Sequence, residues 1–349
     1  PGRLMAEAQG QGRMHVAVLG AGGIGCWLAA RLALAGQRTS LLARGASLAA
    51  IREHGLRAAA VDGSTIGTCG APALSVHGAA EEVDAGVGVL FVAVKTHQLA
   101  ACVPQVAALL RRSPSALVVP MANGVDAHDV IARGLEESGG SADGVMGGIA
   151  RSVVYISHSG TVVLERELGV AVGPIRACAP TCAQLDALRA VSRLLTDVAR
   201  VSCELIETAD AMRTALWTKF LVTGCLGPFS AAARAPVDVL MSTAETTAVV
   251  RALMEEMRDV GAAGGVRMPD GAVEDALAIC ARSPPGTTFS TTRDVLGGRP
   301  SELLEFCGVV VRLGRERGVP TPSHAQLLAT LLPQERVARG ELAYELRGV

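Results

Sequence analysis

The chain has 349 residues, 50% of them hydrophobic, which is enough for one large core or, as we expect, two domains. Its 32 basic and 33 acidic residues leave a formal net charge of −1, so no general field attracts nucleic acid or anionic lipid. The longest apolar runs, such as 87–94, are far shorter than the roughly 20 residues that a membrane helix needs. We therefore expect a cytoplasmic protein without nucleic-acid or membrane partners.

Neither the amino-terminal segment nor the cysteines show a recognisable site. Residues 1–13 are polar and rich in Gly and Gln, lack the apolar region of a signal peptide, and are interpreted as a disordered leader. The nine cysteines lie scattered through apolar runs, without the paired spacing of metal ligands. Cys178 and Cys182 are the closest pair, but no further ligands accompany them. We expect reduced thiols and no metal.

The first part of the chain alternates strand and helix patterns, which is typical of a parallel sheet built from βαβ units. The pattern predicts strands over 15–19, 38–43, 87–94, 116–122, 145–154, 161–164 and 169–172, helices over 24–34, 46–53, 98–110 and 183–195, and short strands or a hairpin within 56–76. We therefore predict an α/β fold, with a Rossmann-type doubly wound sheet, over residues 14–206.

From about residue 208 the pattern changes to long helical periods with few strand candidates. Helices are predicted over 208–226, 242–262, 271–282, 302–318 and 322–332, with an ordered loop over 283–288. Residues 207–349 are therefore predicted to form an all-helical second domain.

A glycine-rich loop follows the first predicted strand and opens the first helix. It reads Gly20-Ala21-Gly22-Gly23-Ile24-Gly25. In a dinucleotide-binding loop of this spacing, Gly20 allows the tight turn, Gly22 lets the backbone approach a pyrophosphate, and Gly25 lets the helix pack closely on the strand. The free N–H groups of the helix N-terminus then bind the phosphates. The alternative is a glycine-rich turn without a ligand.

The end of the second predicted strand favours NADP(H) over NAD(H). An NAD-binding protein would place an acidic residue there to bind the ribose 2'-hydroxyl, but the chain has Ala43 and Arg44. An arginine can pair with a 2'-phosphate through two hydrogen bonds. The alternative is an ordinary surface arginine, since nearly all basic residues of this chain are arginines.

Lysine and asparagine are rare in this chain, which draws attention to the few that occur. Lys95 and Lys219 are the only lysines, and Asn123 is the only asparagine. Arginine cannot lose its proton in a protein, whereas a buried lysine can exchange one. Lys219 lies between Trp217 and Phe220, where partial burial would lower its pKa towards that of a proton donor. Codon bias, and a surface lysine whose stem covers apolar neighbours, are the alternatives.

Together these residues resemble the ketopantoate reductases (2-dehydropantoate 2-reductases), and the resemblance covers nearly the whole chain. The glycine loop and Arg44 match the family's NADP-binding loop and phosphate arginine, and Lys95 with Gln98 matches its lysine after the fourth strand. Further matches follow in family order: Asn123-Gly124, the Leu-Trp-x-Lys motif at 216–219, Ser290, Asp294 and Ser301-Glu302.

The resemblance implies an enzyme that transfers a hydride from NADPH to C2 of a branched 2-oxo acid, as in the reduction of 2-dehydropantoate to pantoate in pantothenate biosynthesis. It implies that Lys219 is the general acid and that Glu302 holds the substrate and the lysine in place. It also implies a homodimer. The implied cofactor contacts are the glycine loop, Arg44, Lys95, Asn123 and Glu302, and the implied substrate contacts are Asn123, Lys95, Thr223 and Ser290.

Two positions depart from the family pattern. Thr223 and Gly227 stand four and eight residues after Lys219, where the family commonly has asparagines of the substrate site. Thr223 can still donate one hydrogen bond, whereas Gly227 has no side chain. Residues 162–168 also lack the family's His-Gly pattern. A reductase of another 2-oxo acid, an opine-type dehydrogenase and a non-catalytic NADP-binding sensor therefore remain open, although a sensor would need neither Lys219 nor Glu302.

Overall fold

The computed structural model describes residues 14–176 and 179–344. The predicted leader and Cys178 lie outside the described residues. The chain divides into two compact units, Pro1–Met212 and Arg213–Val349, a few residues after the boundary that the sequence predicts at 206/207.

The elements follow one another in the order that the sequence patterns predict. The strands are β1 (His15–Leu19), β2 (Thr39–Leu42), β3 (Leu56–Ala60), β4 (Thr65–Cys69), β5 (Leu74–His77), β6 (Val87–Val92), β7 (Leu117–Pro120), β8 (Gly147–Ala150), β9 (Val153–His158), β10 (Thr161–Arg166), β11 (Val170–Gly173) and β12 (Cys203–Leu205). The helices are α1 (Gly23–Leu34), α2 (Gly45–His54), α3 (Leu99–Arg112), α4 (Ala127–Glu137), α5 (Cys182–Arg193), α6 (Ala209–Ala233), α7 (Val237–Leu240), α8 (Ala244–Ala263), α9 (Ala272–Ala281), α10 (Ser290–Leu296), α11 (Val309–Arg317) and α12 (Pro322–Ala338).

The main sheet of the first unit is parallel and has the strand order β5-β2-β1-β6-β7. All five residues of β1 are buried, because helices cover both faces of a parallel sheet. Successive residues of β1 face opposite sides, so Val16 and Val18 enter one hydrophobic cluster while Ala17 and Leu19 enter another. The neighbours β2 and β6 lie on the two sides of β1, which makes its carboxyl end the switch point of the sheet.

Two smaller sheets accompany the main one, and they correct the predicted strand over 145–154. That segment forms two strands, β8 in the sheet β12-β11-β8 and β9 in the sheet β4-β3-β10-β9. The chain leaves one sheet for the other at Arg151 and Ser152. The hydroxyl of Ser152 accepts the N–H groups of Leu168 and Gly169, each at 3.0 Å, and so holds this turn against β11.

The helices of the first unit agree with the predicted segments, with two differences. The sequence patterns did not predict α4, and the segment predicted as a helix over 183–195 continues beyond α5 as a π-helical stretch, Leu194–Val198. The predicted hairpin within 56–76 consists of β3 and β4, which pair antiparallel, while β5 joins the main sheet.

The described part of the second unit contains helices and no strand, as predicted. Two predicted helix ends are wrong, because α6 continues through Pro228 and α12 continues through Pro333. A proline removes one helical hydrogen bond, but buried side chains on both sides of it keep the helix in place. In α12 these are Leu331 and Glu335.

The predicted helix over 302–318 begins with a π-helical segment, Leu304–Gly308, and continues as α11. The short helices α7 and α10 were not predicted. None of the helices within the described ranges combines the length and the apolar character needed to cross a membrane.

Candidate active site

The carboxyl edge of the main sheet gathers the loops that the sequence singled out. Beyond the paired strands, the N–H of Gly20 donates to Leu42 at 3.0 Å and the N–H of Ala93 donates to Leu19 at 2.8 Å. The N–H of Met121 donates to Val92 at 2.8 Å in the same way. The loops that follow β2, β1, β6 and β7 therefore lie side by side, which is where open α/β sheets bind their ligands.

Two glycines of the loop after β1 are required by the protein itself. Gly20 has φ +112°, and a Cβ there would lie 2.7 Å from the carbonyl oxygen of Ala93. A Cβ on Gly25 would lie 1.9 Å from the carbonyl oxygen of Gly20. Both distances are too short for any side chain, so these glycines allow the turn and the close packing of α1.

Gly22 differs, because the protein leaves room beside it. A Cβ there would meet only the carbonyl oxygen of Ala93, at an ordinary 3.8 Å. Gly22 is the N-cap of α1, and no side chain caps this helix end. Its first N–H groups have no helical acceptor and the helix dipole is positive there. The loop thus fits a dinucleotide pyrophosphate, whose approach a side chain at this position would hinder.

The other predicted cofactor residues follow neighbouring strands at the same edge. Arg44 is the exposed N-cap of α2, and its side chain makes no hydrogen bond or ion pair with the described residues. Lys95 precedes a 3-10 turn, Thr96–Gln98, after β6, and Asn123 follows β7 next to Gly124, whose φ is +93°. Both side chains are partly buried. The first unit therefore brings the glycine loop, Arg44, Lys95 and Asn123 to one edge of the sheet.

In the second unit, Lys219 lies on α6 between two buried aromatic residues. Trp217 and Phe220 are 5% and 1% exposed, while Lys219 itself is partly buried, as the sequence predicts. One turn further along, the hydroxyl of Thr223 donates to the carbonyl oxygen of Lys219 at 3.3 Å. The hydroxyl of Thr223, which the sequence predicts as a substrate contact, thus donates its proton to a hydrogen bond within the helix.

An aromatic pair joins the helix of Lys219 to the segment that follows Glu302. The rings of Phe220 and Phe306 meet edge to face with centroids 5.4 Å apart. Glu302 is 4% exposed and lies just before the π-helical segment that contains Phe306. A π-helical segment is a frequent feature of functional sites.

Ser301, the residue before Glu302, is held by two side chains that the sequence did not reveal, Glu335 of α12 and Arg339 at the C-cap of that helix. Its N–H donates to both carboxylate oxygens of Glu335, at 3.1 and 3.2 Å, and its hydroxyl donates to Glu335 Oε2 at 2.5 Å. Arg339 donates to Glu335 Oε1 at 2.7 Å and to the carbonyl oxygen of Ser301 at 3.3 Å. An i, i+4 Glu-Arg pair usually indicates a solvated helix face, so the sequence carried no signal for this contact.

Helix α10 packs closely on the glycine at position 227. The first turn of α10 packs on this part of α6, and a Cβ on Gly227 would lie 3.3 Å from the Cβ of Thr291. The hydroxyl of Thr292 donates to the carbonyl oxygen of Gly227 at 3.0 Å. Ser290, the predicted substrate contact, is the exposed first residue of α10. Helix α10 thus packs closely beside a position at which the family commonly carries a larger side chain.

Among the residues that the structure describes, no group of three or more His, Cys, Asp or Glu side chains could hold a metal ion.

Comparison with known proteins establishes the family. Residues 16–177 match the family model for ketopantoate reductase PanE/ApbA, and residues 211–335 match the model for its C-terminal part. A 2-dehydropantoate 2-reductase of Mesorhizobium japonicum is 30% identical over 343 residues, covering 94% of this chain and 99% of that protein. The chain belongs to the ketopantoate reductase family. It is therefore an oxidoreductase, and the predicted family is confirmed.

Solved structures agree with this assignment and confirm the predicted fold class. A PanE/ApbA family ketopantoate reductase from Ralstonia eutropha JMP134 is 26% identical, with a TM-score of 0.78 over 93% of this chain and 100% of that one. A D-mandelate dehydrogenase solved with NADH and anilino(oxo)acetate is similar in fold, with a TM-score of 0.79 at 19% identity over 93% of this chain and 100% of that one.

Proposed function

We propose that this ketopantoate reductase family member reduces 2-dehydropantoate to pantoate with NADPH, in pantothenate biosynthesis. The main support for this proposal is the position of the chain's rare lysine and asparagine residues. Lys95 and Asn123 lie at the carboxyl edge of the parallel sheet, and Lys219 lies partly buried on α6. In a chain whose other basic residues are all arginine, these positions coincide with those that the family uses.

The preference for NADP(H) rests on Arg44 and Gly22. The exposed guanidinium of Arg44, without a partner in the described part of the chain, suits the 2'-phosphate. The uncapped N-terminus of α1 suits the pyrophosphate, and Gly22 leaves the space that the phosphates need. NADPH, when bound, supplies the hydride.

Lys219 serves as the general acid. Reduction of the carbonyl at C2 makes an alkoxide, and the ammonium group of Lys219 donates the proton that turns it into a hydroxyl; the lysine then recovers a proton from solvent. Glu302 orients Lys219 and the substrate, and Lys95, Asn123 and Ser290 hold the polar groups of the substrate. The products are a 2-hydroxy acid and NADP+, so hydride and proton are balanced.

The same machinery on a different 2-oxo acid is the second candidate. One observation favours it: α10 packs closely beside position 227, where the family commonly has an asparagine of the substrate site. This packing does not affect the hydride or the proton transfer. It changes the groups available to recognise the substrate.

Oxidation of NADPH by the purified chain, followed by absorbance, tests the proposal. The substrates are ketopantoate, other branched 2-oxo acids and a phenyl-substituted 2-oxo acid, each also assayed with NADH. The highest kcat/KM with ketopantoate and NADPH is the expected result. A higher kcat/KM with another acid favours the second candidate, and the absence of turnover with all of them refutes the proposed activity.

A cytoplasmic location and a homodimer stay predictions. Light scattering coupled to size-exclusion chromatography measures the oligomeric state directly.

A further inference from the structure

We propose that Glu335 of α12 and Arg339, the C-cap of that helix, are positioning residues for Glu302, acting through Ser301. The inference rests on the proposed function, in which Glu302 orients Lys219 and the substrate. It assigns a role in catalysis to the last helix of the described chain, which contains neither the proton donor nor a predicted substrate contact.

Every polar atom of Ser301 makes a hydrogen bond. Its N–H and hydroxyl donate to Glu335, and its carbonyl oxygen accepts from Arg339. The hydroxyl oxygen also accepts the N–H of Leu303 at 3.2 Å, which is the hydrogen bond of a helix cap. Neither peptide plane that flanks Ser301 can rotate without breaking one of these bonds. The backbone that leads into Glu302 is thereby fixed.

Ser301 and Glu335 form a buried pair, with exposed fractions of 0% and 2%. The carboxylate of Glu335 accepts hydrogen bonds from three donors: the N–H of Ser301, which its two oxygens share, the hydroxyl of Ser301, and Arg339. A buried carboxylate with this many donors is stable only in one arrangement, because each lost bond leaves a charge without compensation.

Ser301 lies where the position of the backbone matters for Glu302. The helix that begins at Leu303, next to Glu302, continues through the π-helical segment to α11. Phe306 in that segment packs on Phe220, the neighbour of Lys219. A shift of the backbone at Ser301 therefore moves the carboxylate of Glu302 while the aromatic pair still holds the helix of Lys219. Small errors of position of this kind are costly in catalysis.

The test is a double-mutant cycle on kcat with the full chain, NADPH and ketopantoate. Glu335→Gln keeps the shape of the side chain but loses one acceptor and the charge, so we expect kcat to fall about tenfold with a smaller change in KM. Glu302→Gln alone is expected to lower kcat about a hundredfold. Because Glu335 acts through Glu302, adding Glu335→Gln to Glu302→Gln should lower kcat less than about twofold further.

Matched controls separate this effect from a general loss of structure. Arg336→Gln on the exposed face of α12 and Glu341→Gln just beyond that helix remove one charge each and should leave kcat unchanged. The affinity for NADPH should not change in any Glu335 variant. Should Glu335→Gln fail to fold, Ser301→Ala, which removes only the hydroxyl, is carried through the same cycle and judged by the same criteria.

The outcomes distinguish this inference from the proposed function. An unchanged kcat in folded Glu335→Gln, or an equal loss of kcat with and without Glu302→Gln, would overturn the positioning role alone. An unchanged kcat in Glu302→Gln would remove the role of Glu302 from the proposed function. Absence of turnover by the wild-type chain would refute both, since no reaction would remain for Glu302 to serve.

Discussion

Phe220 and Phe306 meet edge to face within the second unit, with ring centroids 5.4 Å apart. Each ring is almost fully buried, and each lies within one helical turn of a predicted catalytic residue, Lys219 or Glu302. Trp217 extends the cluster, with its ring 6.3 Å from Phe220 and the guanidinium of Arg317 at 5.9 Å over its face. Aromatic packing thus fixes the two helices that present the proposed acid and its orienting carboxylate.

Lys219→Ala tests the proton donor. We expect kcat to fall by about 10²–10⁴, because the alkoxide would lose its general acid. Lys219→Arg keeps the charge but cannot give up a proton, so it should be nearly as slow. Steady-state kinetics and NADPH titration measure both variants, and the dissociation constant of NADPH should not change. A kcat within twofold of wild type for Lys219→Ala would contradict the mechanism.

Substitutions of two loop glycines should separate ligand binding from folding. Gly22→Ala should weaken NADPH about tenfold or more, because its Cβ enters the space of the phosphates, while its Cβ meets the protein only at 3.8 Å. Gly25→Ala should lower the unfolding midpoint in urea, since its Cβ would lie 1.9 Å from a carbonyl oxygen. Fluorescence titration and urea unfolding of both variants measure the contrast. Equal loss of stability in the two variants would be evidence against the distinction.

Arg44→Ala tests the choice of nucleotide. Loss of hydrogen bonds to a phosphate should weaken NADPH about 10- to 100-fold, while NADH binding stays the same. Arg52→Ala is the matched control, because Arg52 lies on the same helix and pairs with Glu82 at 3.1 Å. Dissociation constants for both nucleotides provide the measurement. A similar loss for NADH and NADPH would show that Arg44 does not bind the 2'-phosphate.

Glu305 should make stability depend on pH near neutrality. Burial raises the pKa of Glu305 to about 7 from an ordinary 4.5, and Glu302 and Glu335 add to the rise while Arg339, 3.8 Å from Oε2, opposes it. A folded pKa above the unfolded one gives stability that is complete below pH 4.5 and is lost as the pH rises to about 7.

Glu305→Gln removes this titration. The substitution should raise the free energy of unfolding more at about pH 8 than at about pH 5, and we expect the two increases to differ by about 1–2 kcal/mol. This range allows for solvent screening of a partly exposed group. Urea unfolding at the two pH values measures the gain. Glu316→Gln, whose exposed carboxylate pairs with Arg312, should show none. A gain of equal size at both pH values would contradict the assigned titration.

Local patterns predicted the features that depend on neighbouring residues. The apolar run of β1 and the spacing from Gly20 to Gly25 lie within a few residues of one another, so the sequence alone predicts both the strand and the loop. Arg44 was placed correctly at the end of β2 for the same reason. The rarity of lysine drew attention to Lys219, and the family resemblance then added Glu302; the roles of both residues in this chain stay predictions.

Contacts between distant residues explain what the sequence could not predict. The strand predicted over 145–154 breaks at Ser152 because that hydroxyl binds the N–H groups of residues 168 and 169. The helix α6 continues through Pro228 because Leu226 and Ser230 on either side are buried. Glu335 meets a serine 34 positions earlier, and no periodicity within one helix reveals such a partner.

The hydroxyl of Thr223 donates its only proton to the carbonyl oxygen of Lys219, so towards a ligand it can act only as a hydrogen-bond acceptor. A substrate that meets this hydroxyl has to bring its own donor. Ketopantoate has such a donor in its primary alcohol, whereas a 2-oxo acid whose remaining groups are alkyl or phenyl has no hydrogen-bond donor there. With Thr223 as the substrate contact that the family resemblance implies, we expect this one bond inside a helix to favour substrates that carry a hydroxyl group beyond the reacting carbonyl.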